Sequence, residues 1–145
     1  MGLAHDAADN LGDLVSPLWQ PYNAYAVKRF LEDHACETCA MDFGAGHSIY
    51  DGKLFESVNK TLASYNVVLL MPSSNHQESV RHLADRNNRD RRKHRDHNRW
   101  NQLFIEHPSN HGLARFVVYT KGKSAEETCA EVINRIQAGL GAARE

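Results

Sequence analysis

Asp42, Gly44, Gly46 and His47 stand within six residues, and seven Arg and one Lys are concentrated between Arg81 and Arg99. Each group suits handling of phosphate. An Asp at the end of a buried strand holds Mg²⁺ beside nucleotide phosphates, or accepts a proton from a hydroxyl. Glycines two residues apart let a substrate approach the backbone. Arg supplies planar, bidentate positive charge to a migrating phosphoryl group. Arg86, Arg89, Arg92 and Arg95 recur every third residue, which on a helix sets them roughly on one side, as in a lid closing over phosphates. Blander readings stand beside these: an Asp that starts a turn, glycines that shape it, and a charged stretch that is simply solvated. Nucleic-acid binding is the weaker option, because Trp100 is the one aromatic residue near the basic run.

Gly122-Lys123-Ser124 has the ending of a phosphate-binding loop, yet G-x-x-x-x-G-K-[ST] requires a glycine where Val117 stands. With Lys121 and Lys123 at the start of a helix, the segment can still attract an anion. A metal reading draws on Cys36 and Cys39 in a C-x-x-C and on His107 and His111. A zinc finger spaces its pairs by about 12–15 residues, and far more chain separates these two pairs. A redox C-x-x-C opens a helix, whereas this one leads into an expected strand. Cys129 makes the count odd, so no disulfide framework is expected and reduced thiols are the plain reading.

The elements that must position these groups follow from periodicity. Tyr22, Ala26 and Phe30 predict a helix that begins at Pro21 and fades near His34. Thr38–Phe43 predicts a buried strand ending in the glycine loop. Leu54, Val58 and Leu62 place a helix over about 53–64. The apolar run from Asn66 to Met71, closed by Pro72, predicts a strand buried on both faces. Asn75 and Glu78 form a capping pair for the next helix, and Ser124 with Glu127 a capping box for the last. Between them lie a charged stretch, a helix around Trp100, Leu103 and Phe104, a loop at 107–112 and a strand at 116–120. The inner face of the last helix is expected to carry Cys129, Val132 or Ile133, Ile136 and Leu140.

Alternating helices and strands predict an α/β protein with a mostly parallel sheet, and ligands then bind beyond the carboxyl ends of its strands. The length of 145 residues suits a single domain over 18–145, with a polar N-terminal segment over 1–17 and the basic lid at about 85–99. Net charge is −1, and the stretch 81–99 carries +5 of it. A body this acidic argues against a protein that is basic throughout, as whole-chain nucleic-acid binders are. No run reaches 18 apolar residues, so no membrane span is expected. The first 17 residues lack the charge and apolar core of a secretory signal, so the expected location is cytoplasmic.

Together, Asp42-Phe43-Gly44-Ala45-Gly46-His47-Ser48, the run from Asn66 to Ser73, the Arg-rich lid, His107-Pro108-Ser109-Asn110 and Tyr119-Thr120-Lys121-Gly122-Lys123 resemble the shikimate kinase-like family of P-loop proteins over roughly residues 20–137. The resemblance implies a three-layer α/β/α fold and ATP-dependent phosphoryl transfer to a hydroxyl of a small molecule, with ATP and Mg²⁺ as cofactors. It implies Asp42 as catalytic and Mg²⁺-binding acid, and Arg89, Arg92 and Arg95 as lid arginines on the phosphates. Gly44, Gly46 and His47 fall beside the acceptor, and Arg115, Lys121, Gly122 and Lys123 beside the nucleotide. The chain departs from the family in lacking the G-x-x-x-x-G-K-[ST] loop, and a strand of the family's sheet is missing as well. The expectation is a truncated chain, a catalytic relic, or a partner that supplies the strand. The alternative function is a non-catalytic module whose basic segment binds an acidic partner or nucleic acid. A homo-oligomer is compatible with either.

Overall fold

The computed structural model describes residues 17–89 and 97–142. The chain forms two compact units, 1–63 and 64–145.

In the first unit, α1 (Gln20–Asp33) starts with Pro21 in its first turn and stops at His34, as its sequence predicts. Val27 and Leu31, one turn apart, point inward. A 3-10 turn (Ala45–Ser48) leads to the buried pair Ile49 and Tyr50, and α2 (Gly52–Leu62) adds Val58 to the same core. Gly52 sits at φ +49°, in the left-handed region where a side chain is strained.

The segment between α1 and the 3-10 turn corrects the sequence reading. Residues 37–44 form no strand, and most of them are exposed. Asp42 therefore does not close a strand. Of the run from Thr38 to Phe43, only its two ends are strong strand formers, and a strand needs a neighbour to satisfy its backbone. Among the described residues the only pairing is in the other unit.

That second unit is built on a parallel pair, β1 (Val68–Met71) and β2 (Phe116–Tyr119), in the register Val68↔Phe116 to Met71↔Tyr119. Parallel strands need a long crossover. Here it carries α3 (His76–Arg89), α4 (His97–Glu106) and α5 (Pro108–Leu113), and α6 (Ala125–Ala142) follows β2. The fold is thus mixed α/β, with a small parallel sheet. Met71, Ile105, Leu113 and Val118 are among its buried apolar residues, Val118 fully so.

Three local expectations change. The 107–112 loop is mostly helical, because His107 accepts the Ser109 N–H at its ring Nδ1 and Pro108 fits the first turn. Asn110 then donates to the Phe104 carbonyl, satisfying the end of α4. Leu70 is 54% exposed rather than buried on both faces, since two strands leave a face of the ladder uncovered. On α6 the inward positions are Val132 and Ile136, while Cys129 and Ile133 face outward. Gly139 lets α6 approach β2, because a Cβ there would lie 2.9 Å from the Phe116 ring. Among the described residues no helix is long and apolar enough to cross a membrane.

Candidate functional site

The carboxyl ends of β1 and β2 lie side by side because the ladder continues past both strands. Thr120 N–H donates to the Met71 carbonyl at 2.8 Å and Lys121 N–H to the Pro72 carbonyl at 2.9 Å. Each strand then enters a helix. After β1, Asn75 caps α3 by accepting the Glu78 N–H at 3.0 Å, as the spacing predicts. The Glu78 carboxylate does not fold back to complete a capping box. It accepts from the Ser73 hydroxyl and from Lys121 Nζ, which stands on the loop after β2. Ser73 is itself held at both backbone ends by the fully buried Ser79. Its N–H donates to Ser79 Oγ at 3.0 Å, and its carbonyl accepts from that hydroxyl at 2.9 Å.

After β2, Gly122 at φ +79° makes the turn that lets Lys123 N–H reach the Thr120 carbonyl at 3.1 Å. Lys123 Nζ donates to the Tyr119 carbonyl and to Glu131 of α6. Ser124 and Glu127 form the full reciprocal capping box, with bonds of 2.7 and 3.2 Å. Both lysines of the expected anion site are therefore engaged by carboxylates. The Lys121 hydrogen bond, then Ser73, holds the Glu78 carboxyl below its ordinary value. Lys123, then Arg135, does the same to Glu131. Arg115 stands just before β2, exposed, with its guanidinium 5.6 Å from the centre of the Phe116 ring.

Arg89 is the last residue of α3. Arg92 and Arg95 lie outside the described residues, as does the middle of the expected lid. Arg81, Arg86 and Arg99 are exposed.

Asp42, Gly44, Gly46 and His47 belong to the first unit, in a stretch that α1 contacts at Phe43 and Gly46. Asn23 of that helix donates to the Gly46 carbonyl at 2.9 Å. Phe43 meets Phe30 edge-on at 6.1 Å. His47 N–H donates to the Gly44 carbonyl at 2.8 Å, and its Nδ1 lies 3.3 Å from the same oxygen. Neither Gly44 nor Gly46 has a positive φ, and a Cβ at Gly44 would meet His47 at an ordinary 3.7 Å. At Gly44 the backbone does not require glycine. The Asp42 carboxylate is exposed. A single carboxylate suits Mg²⁺ that takes its other ligands from phosphates and water, and does not by itself make a cage. Among the described residues no three His, Cys, Asp or Glu side chains gather as a metal site, so the zinc reading finds no ligand set there.

Two anchoring residues escape the sequence reading. Gln20, only 4% exposed, donates to the Asp51 carboxylate and accepts the Asp51 N–H, fixing the start of α2. Ser79 gives no sequence signal beyond its place in a helix. The Asn75/Glu78 capping pair pointed to Glu78, but its bond to Lys121 follows only from the register of β1 on β2. No family model, curated protein or solved structure matches the chain.

Proposed function

We propose that this chain is a kinase-like nucleotide-binding domain, with phosphate handled at the loops after β1 and β2. The observation that carries this reading is the parallel pairing of Val68–Met71 with Phe116–Tyr119, which sets two strand-to-helix loops at one edge. The resemblance to shikimate kinase-like proteins supports it and adds the finer architecture, a three-layer α/β/α sandwich around a larger sheet. In this reading Lys121, Gly122, Lys123 and Arg115 face the nucleotide. Arg89, Arg92 and Arg95 stabilise the migrating phosphoryl group. Because the chain contains no G-x-x-x-x-G-K-[ST], binding is expected to be weak and turnover absent unless that loop is supplied.

Glu78 competes with a phosphate for the charge of Lys121. Titration calorimetry with Mg-ATP therefore tests the reading in two steps. Wild-type protein should bind with a Kd near about 1 mM, about 4 kcal/mol of binding free energy. Glu78→Gln, which frees Lys121, should tighten binding several-fold. Absence of heat at millimolar Mg-ATP in both proteins overturns the reading.

A second reading has its own observation. With Lys121 and Lys123 neutralised, Arg81, Arg86 and Arg99 are exposed within the basic stretch. A non-catalytic module that docks this stretch on an acidic partner predicts affinity that falls steeply with salt and is lost when Arg89, Arg92 and Arg95 become Glu.

A further inference from the structure

We propose that Cys36 and Cys39 form a reversible disulfide, closed by a low-molecular-weight disulfide of the glutathione type. The inference is independent of the phosphate reading. Both thiols are exposed, so neither fills the core as a small apolar residue. Cys36 lies in the turn that ends α1, where Glu37 N–H donates to the His34 carbonyl at 3.0 Å. Cys39 lies in the stretch 37–44, which has no regular structure. Among the described residues, no backbone hydrogen bond holds residues 38–43.

Geometry makes closure local. Three extended residues span at most about 10 Å, and a disulfide needs its Cα atoms about 4.4–6.8 Å apart. Glu37 and Thr38 lie outside any ladder or helix, so closure by rotation there opposes only local contacts, chiefly the His34 Nδ1–Glu37 Oε2 pair at 3.1 Å. Had 38–43 been a strand, as the sequence suggests, the same movement would have cost its pairing. The missing strand is therefore what opens this chemistry.

The exchange runs in two balanced steps. The thiolate of one cysteine attacks a sulfur of the small disulfide, forming a mixed disulfide and expelling one thiolate. The second cysteine thiolate then attacks the first cysteine's sulfur and expels the other. The chain loses two electrons and two protons, and the small disulfide is reduced to two thiols. The second step is intramolecular, so it is favoured over a second intermolecular capture. Closure shortens the tether between α1 and Asp42-Phe43-Gly44.

The test equilibrates the full chain in buffers of stepped reduced-to-oxidised glutathione ratio, alkylates free thiols and maps the peptides by mass spectrometry. Wild type should lose two hydrogens within the 36–39 peptide, with neither cysteine alkylated and Cys129 still reactive. Cys36→Ser and Cys39→Ser should each carry glutathione on the remaining thiol. Their half-modification should need a ratio about tenfold or more oxidising than the wild-type midpoint. Cys129→Ser should match wild type. Far-UV circular dichroism identifies any variant that fails to fold, and the wild-type peptide map alone decides the point in that event. Independent glutathione adducts on Cys36 and Cys39 in wild type, or a link from either to Cys129, overturn the proposal.

Discussion

Glu78 and Lys121 join stretches of chain 43 residues apart, and the bond ties the loop after β1 to the loop after β2. Its strength depends on the charge of one exposed carboxylate. Because the Glu78 carboxyl is held below its ordinary 4.5, its contribution is present above about that pH and is lost as acid protonates it through the lower folded-state value. Thermal unfolding followed from pH 6 to pH 3 should show Tm falling at the acid end. Glu78→Gln should flatten part of that fall, and added salt should shrink the difference. Tyr50 gives the opposite case. Burial pushes its phenol up to about 12 from 10.0, so the folded state holds that proton more tightly than the unfolded chain does. Stability from this group is intact below about pH 10 and is lost as pH rises through 12. An ultraviolet titration of wild type minus Tyr50→Phe should show one phenol ionising near 12, whereas a difference transition near 10 would mean that the ring is not buried.

At the scale of elements, the helix ends are set by local bonds and the strands by a partner. Ser124 and Glu127 satisfy one another's backbone N–H groups at the start of α6, so Ser124→Ala should cost about 1 kcal/mol in a urea titration, with an unchanged m-value. Met71 is different. It is a buried residue on a four-residue strand whose single described partner is β2, so its side chain is a large part of what holds the pair. Met71→Ala should cost about 2–5 kcal/mol, several times the effect of the cap. Equal effects of the two substitutions would mean that the sheet does not organise this unit. These elements were legible in the sequence for a stated reason. Pro21, Asn75 and Ser124 act through their own neighbours, and the apolar runs at 66–71 and 116–120 are too continuous for a solvated loop. The run at 38–43 misled because its apolar residues say nothing about whether another strand lies alongside.

At the scale of the whole chain, the two readings rest on different residues, and a single variant tests the first without touching the second. Glu78→Gln should tighten Mg-ATP binding if Lys121 meets phosphate, and should leave the salt-dependent docking of the 81–99 stretch unchanged. The sequence alone determined the mixed α/β character, the starts of α1, α3 and α6, the two apolar runs that become β1 and β2, and the concentration of positive charge, because each depends on residues near one another in the chain. Only tertiary structure decided the rest. It took the register of β1 on β2 to bring Lys121 to Glu78 and so neutralise a lysine that the sequence left free for an anion. Among the described residues no strand lies beside 38–43, and Asp42 is an exposed residue rather than a strand end. Periodicity records which side of an element is apolar; which element lies opposite is set by packing between segments far apart in sequence, and that is where the chemistry of this chain is fixed.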